Sequence, residues 1–353
     1  CGKGAGGADG EAAAAGGKEP QGNVYAVKHQ LLNEYCDSVS AVMIWDGRKV
    51  YFTGARDNAD ILFVLDIDGA EGEGVREYPL ETEPGMRVSV IGRDAEGNLL
   101  LGMIGYQGGS VPDGEASGGT VGRVIIQKLS PDGVMLGNVD TGNVFWGRDA
   151  ASFYINGLYQ DGGGDYYLSA AKEVCVLHED GSMYFNAAAG DYVSTLFALE
   201  DDRVVAGYGG RDGWKLGEVD FARKGLKPLE SSIGFGKGVY RSGTDKDLVY
   251  TEGGALYACN LADEEPEVLL HWADYDINGG NIQDFAVLPD GRIVSVTADY
   301  SNGAARELSI LAKKEGSGTE EKTVLHYAAL YVPYYTERDI AEFNKQSEKY
   351  RIE

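Results

Sequence analysis

Asp284–Thr297 reads DFAVLPDGRIVSVT, two apolar, partly alternating runs on either side of a Pro-Asp-Gly turn. Alternation at period two marks a strand, and Asp-Gly between two such runs marks a hairpin. The same pattern recurs upstream in AVMIWDGRKVYFTG from residue 41, VSVIGRDAEGNLLLGM from 88, NGLYQDGGGDYYLSA from 156, TLFALEDDRVVAGY from 195 and GVYRSGTDKDLVYTE from 238. Each hairpin is followed by a third strand, at ILFVLDIDG, RVIIQKLSPDG, EVCVLHEDG, KLGEVDFAR, ALYACNLAD and ELSILAKKEG. A fourth follows all but the last unit: VREYPL, VMLGNVD, SMYFNAA, LKPLES and EVLLHW. Four strands per unit at a period of about forty to fifty residues is the signature of a β-propeller blade.

The predicted fold is therefore all-β, a six-bladed propeller over residues 22–315, with seven blades as the alternative count. The last unit lacks a fourth strand, because Lys313–Glu321 is charged and Gly/Ser-bearing. Asn23–Leu31, NVYAVKHQL, alternates and precedes the first hairpin without a partner of its own. Pairing this N-terminal strand with the last unit closes the ring and removes two exposed edges. A Gly-rich insertion, 105–122, lengthens the second unit.

Composition narrows the function. The formal charge is −25, from 56 acidic and 31 basic residues, which disfavours nucleic acid and anionic surfaces as partners. No run of eighteen apolar residues is present to span a bilayer. Cys36, Cys175 and Cys259 form no C-x-x-C pair, and Cys175 and Cys259 lie in apolar strand runs as small hydrophobes. His29, His178, His271 and His326 have no metal or triad spacing, and H-E-x-x-H, G-x-S-x-G and Walker patterns are absent. Gly2, Gly4 and Gly7 match G-x-G-x-x-G but lack the flanking strand and helix. No cofactor is expected. Asp274, Asp276 and Asn278 resemble half of a calcium loop, yet Phe285 stands where the bidentate acid belongs, so a polar turn is preferred.

Loops that gather at one end of a propeller carry Tyr106, Phe145, Trp146, Tyr192, Tyr208, Trp214, Phe235, Trp272, Tyr275 and Tyr300, with Arg56, Arg148 and Arg211 among them. Aromatic faces beside polar donors suit sugar rings, whose C–H faces are apolar and whose hydroxyls need partners. Packing of these rings as blade caps is the competing role. A pair of acids in the channel would instead indicate a secreted enzyme acting on polysaccharide, and a flat apolar face a protein-docking propeller.

After a charged linker, 316–322, the chain changes character. Thr323–Leu330 has strand chemistry, Thr336 and Asp339 make a T-x-x-D box opening a helix to about Ser347, and Tyr350–Ile352 begins a second strand. Ile340 and Phe343 are its apolar stripe. The run AEFNKQSEKYRIE, Ala341–Glu353, resembles the opening of extracellular solute-binding proteins of ABC importers, especially the sugar-binding class. That resemblance implies that 323–353 starts a solute-binding domain, with Tyr331, Tyr334 and Tyr335 beside its solute and an ABC permease as partner. At the other end, Cys1 precedes a Gly/Ala-rich tether, 1–21, and resembles the acylated cysteine of a mature bacterial lipoprotein. The expectation is a cell-surface lipoprotein serving carbohydrate uptake, which binds and does not catalyse.

Overall fold

A computed structural model describes residues 24–45, 48–69, 74–107, 119–190, 192–199, 202–210, 213–231, 235, 238–263, 265–300, 303–314, 322–329, 334–347 and 349–352. The chain is all-β over most of this length and has a propeller-like arrangement of antiparallel meanders. β1 (Tyr25–Leu31) is followed by β2–β5 (Ser38–Trp45, Lys49–Arg56, Ala59–Asp66, Val75–Pro79), which pair in sequence order as one sheet. β6–β9 (Met86–Asp94, Leu99–Gln107, Thr120–Leu129, Met135–Asp140) and β10–β13 (Ile155–Gln160, Tyr166–Ala170, Glu173–Leu177, Met183–Ala188) are two further meanders that join into an eight-stranded sheet. β14–β17 (Val193–Ala198, Val204–Gly210, Gly213–Asp220, Gly225–Pro228) and β18–β21 (Gly238–Arg241, Leu248–Glu252, Ala255–Cys259, Glu267–His271) each form a four-stranded sheet.

The last meander, β22–β24 (Ile282–Val287, Ile293–Asp299, Ala305–Lys313), takes its fourth strand from the start of the chain. β1 runs antiparallel to β24 from Tyr25↔Lys313 to Leu31↔Glu307, as the unpartnered N-terminal strand predicts. Both strands would otherwise present open edges. The hairpin that opened the sequence analysis turns at Gly291, whose φ of 81° needs glycine, while Asp290 Oδ1 accepts the Arg292 N–H at 3.0 Å.

The eight-stranded sheet has a local cause. β6 and β10 pair in parallel at Tyr159↔Arg93 and Gln160↔Asp94. Gly92 permits it, because a Cβ there would lie 1.9 Å from the Leu158 carbonyl oxygen. Lys128 then ties the seam, reaching Asp94 at 2.7 Å and Gln160 Oε1 at 3.3 Å. Burial pushes the Asp94 carboxyl up, but Lys128 and Asn98 together hold it below its ordinary value. Elsewhere the meanders meet through apolar faces. Val50, Phe52 and Phe63 of the first meander pack with Val294, Val296 and Leu308 of the last, and the Phe52 and Phe63 rings stack at 4.7 Å. Cys36, Cys175 and Cys259 are buried thiols.

At the C-terminal end, β25 (Thr323–Leu325), α1 (Tyr334–Gln346) and β26 (Tyr350–Ile352) form the expected strand, helix and strand, with β25 and β26 parallel. The first strand stops five residues short of the predicted Leu330, and the helix begins two residues before Thr336. Asn344 fastens α1 to β26: its Oδ1 accepts the Ile352 N–H at 2.7 Å and its Nδ2 donates to the Ile352 carbonyl at 3.0 Å. The unit is tied to the β body by polar contacts. Arg351 pairs with Asp276 at 3.1 Å and donates to the Ala273 carbonyl, and Lys345 pairs with Glu307 at 2.7 Å. The predicted burial of the Ile340 and Phe343 stripe holds only in part: Ile340 is half-buried, while Phe343 stays exposed, because the contacts that seat the helix come from Lys345 and Asn344.

Candidate functional site

The innermost strands of the meanders, β2, β6, β10, β14, β18 and β22, surround a central channel of about 1230 Å³. Five of these strands carry a β-bulge, between Val39 and Ala41, Val88 and Val90, Ile155 and Gly157, Val193 and Thr195, and Ile282 and Asp284. The extra residues are Ser40, Ser89, Asn156, Ser194 and Gln283, all polar. A bulge bends its strand and re-aims the neighbouring side chain, which sets polar groups near the mouth where the innermost strands begin.

Asp284 is the central charged group. Its Oδ2 accepts the Ile44 N–H at 2.9 Å, across to the first meander, and its Oδ1 accepts the Phe285 N–H at 2.9 Å. Burial pushes its carboxyl up to about 7, against the pull of those two N–H groups and of the Tyr240 hydroxyl. Tyr240 is raised well above its ordinary value by burial first and then by the Asp284 charge. Tyr192 stands within electrostatic reach of Tyr240 and of Tyr300; burial raises it, and its hydrogen bond with Asn156 opposes the rise. Tyr300, from the turn after β23, donates to Gln283 Oε1 at 3.2 Å. Three tyrosines from different parts of the chain are thus each bonded to a channel-lining residue: Tyr240 to Asp284, Tyr192 to Asn156 and Tyr300 to Gln283. Tyr154 and Trp214 extend the aromatic wall, with ring centroids 5.5 and 6.1 Å from Tyr192.

The other residues named from sequence separate into two groups. Trp272 is fully buried with its Nε1–H donating to Thr251 Oγ1 at 2.9 Å, and Tyr275 packs edge-on against Tyr25 at 5.6 Å. As ligand-face residues these two are corrected: they belong to the core, as do Phe145 and Phe235. Arg148 lies over the Phe145 and Phe153 rings at 5.2 and 5.7 Å and pairs with Glu173, and Arg56 pairs with Glu77. Arg56 is taken up within its own meander, and Arg148 by the meander that follows it. Tyr106 and Tyr208 are half-buried against hydrophobic clusters, whereas Trp146 is exposed on a loop. Cys1, Arg211 and Tyr331 fall outside the described residues, and Tyr334 and Tyr335 form the start of α1.

The calcium alternative loses its ligands to other partners. Asp276 faces Arg351, which supplies the positive charge a cation would bring, and Asn278 Oδ1 accepts the Gly280 N–H at 3.0 Å. Among the described residues, no group of three or more His, Cys, Asp or Glu side chains is placed to share a metal ion.

Asp284, Tyr240, Asn156, Gln283 and Tyr154 escaped the sequence reading, which searched loops and not innermost strands. A signal was present: five of the six innermost strands carry a polar residue near their start, inside an otherwise apolar run.

No protein-family model matches the sequence, and no curated protein does. Among solved structures the chain is similar to virginiamycin B lyase from Staphylococcus aureus, at 14% identity and a TM-score of 0.42 over 81% of this chain and 99% of that one. It is similar to a glucose dehydrogenase at 12% identity and a TM-score of 0.48, over 81% of this chain and 100% of that one. A protein of unknown function from Dyadobacter fermentans aligns at 12% identity and a TM-score of 0.48, over 78% and 94% of the two chains.

Proposed function

We propose that the β body is a six-bladed propeller, the eight-stranded sheet counting as two blades, and that it binds a small polyhydroxylated ligand, a carbohydrate, at the mouth of its channel. The observation that carries this reading is the set of polar side chains Asn156, Tyr240, Gln283 and Asp284 lining one channel of about 1230 Å³, with Tyr192 bonded to Asn156 and Tyr300 to Gln283 beside it. Phenol hydroxyls, an amide and a carboxyl offer donors and acceptors to sugar hydroxyls, while Tyr154 and Trp214 offer ring faces to the C–H side of a pyranose. The volume lies somewhat above the usual range for small-molecule pockets, which suits an oligosaccharide more than a single ring.

The wider role is a component of an ABC-type carbohydrate uptake system, with a permease as partner. Its support is the resemblance of Ala341–Glu353 together with the parallel pairing of β25 and β26 around α1.

Titration calorimetry of the chain against neutral and acidic oligosaccharides tests the binding reading. Saturable binding that Tyr192→Ala weakens by about tenfold or more, with the fold retained, supports it. Absence of binding to every saccharide refutes it. A second reading, an enzyme acting on polysaccharide, is favoured by one observation: the Asp284 carboxyl titrates at about 7, where an acid or base works at neutral pH. Release of new reducing ends, abolished by Asp284→Asn, would replace binding by catalysis.

A further inference from the structure

We infer that the ligand of the channel mouth carries an anionic group, a carboxylate borne on a saccharide, and that Arg306 is its seat. This rests on the carbohydrate reading above and names the class of sugar.

Arginines in this acidic chain are generally met by acids. Arg56 pairs with Glu77, Arg123 with Glu83 and Asp140, Arg148 with Glu173, Arg292 with Asp68 and Asp290, and Arg351 with Asp276. Arg306 departs from that pattern. It lines the channel and is partly buried, yet among the described residues its guanidinium has no carboxylate partner. Its Nη1 donates to the Ala304 carbonyl at 2.6 Å, and its Cζ lies 5.8 Å from the centroid of the Tyr300 ring. The adjacent acid is turned away: Glu307, next along β24, points to the opposite face and is held by Lys345 and His29. Burial pushes the guanidinium of Arg306 below its ordinary value, so the charge is held at a desolvation cost that no acid offsets.

A partly buried cation in a chain of net charge −25 has many acids available, and none among the described residues is placed on it. A planar guanidinium with unused N–H donors beside a tyrosine ring matches a pyranose that carries a carboxylate: the ring lies on Tyr300 and the carboxylate accepts two parallel N–H bonds. Lysine would offer the charge without the fork. The remaining hydroxyls of such a sugar face Gln283 and Tyr192, which share the mouth.

The test is calorimetric titration of the full chain with a glucuronate-containing oligosaccharide and with its neutral glucose counterpart of equal length, repeated with Arg306→Gln and Arg306→Lys. Circular dichroism and thermal melting establish that each variant is folded. The expected result is tighter binding of the acidic sugar by the wild type. Arg306→Gln should lower that affinity about 10- to 100-fold, the usual worth of a charge-assisted bond, and leave the neutral sugar unchanged. Arg306→Lys should recover part of the loss, and the preference for the acidic sugar should shrink as salt is raised. Equal affinity of the wild type for both sugars overturns the anionic seat and leaves the carbohydrate reading standing. Binding of neither sugar overturns both.

Discussion

Replacing Asp284 by asparagine separates the titration of this carboxyl from its hydrogen bonds. In the folded chain burial raises the carboxyl from 3.8 to about 7. The folded state therefore holds the proton between about pH 4 and 7 where the unfolded chain has released it. Stability from this group is greatest at low pH and is lost as pH rises through about 7. The full difference of roughly three pKa units corresponds to at most ~4 kcal/mol. About two of those units fall between pH 5 and 8, so the wild type should lose at most ~3 kcal/mol over that interval on account of Asp284. Carboxyls held low by partners, such as Asp94 with Lys128 and Asn98, act in the opposite sense: their stabilisation is present above their unfolded pKa and fades only as pH falls below it. They are silent in this window. Urea unfolding of the wild type and Asp284→Asn at pH 5 and pH 8 reads the effect, and comparison of the two proteins cancels the histidines. The variant, which keeps an acceptor for the Ile44 N–H, should show the smaller loss, by up to ~3 kcal/mol. Equal losses would sink the argument that the Asp284 end of the channel is poorly solvated.

Gly92→Ala should drive a methyl into the Leu158 carbonyl and part β6 from β10, costing about 1–3 kcal/mol by urea titration, whereas Gly137→Ala, with open space around it, should cost little; equal effects would remove the close-approach argument. Trp272→Ala should destabilise by about 3–5 kcal/mol in the same assay, since it empties a core position and removes the donor to Thr251 Oγ1, and a marginal effect would return Trp272 to the surface. Arg351→Met leaves the half-buried Asp276 without its partner and should cost about 1–3 kcal/mol; hydrogen exchange across α1 and β26 should accelerate, and unchanged protection would mean the unit is seated by other contacts.

Several features were readable because they are local. Asp-Gly turns between alternating runs specify hairpins within a few residues, and their repetition identified the meander order that β2–β24 follow. Asn23–Leu31 was assigned to the last meander by elimination of open edges, and β1 pairs with β24. The strand, helix and strand after Lys322 followed from periodicity, while the Thr336 capping box failed, since α1 already begins at Tyr334 and Thr336 lies inside it. The candidate site was legible only in its aromatic content. Tyr192 packs beside Trp214 and bonds Asn156, and Tyr300 bonds Gln283, yet Trp272 and Tyr275 come from the same kind of loop and turn inward.

The sequence by itself determined the all-β repeat, its closure by the first strand and the change to α/β character near residue 322, since each depends on period, turn chemistry or unpaired edges along the chain. Tertiary structure decided which polar groups share a space. Asp284 meets Ile44 across 240 positions of sequence, and Tyr192, Tyr240 and Tyr300 come together only when separate meanders pack around one axis. The joining of β6 to β10 likewise depends on one missing side chain at Gly92. Convergence, burial and the Asp284 shift that follows from it are properties of packed neighbours, and no local pattern encodes who those neighbours are.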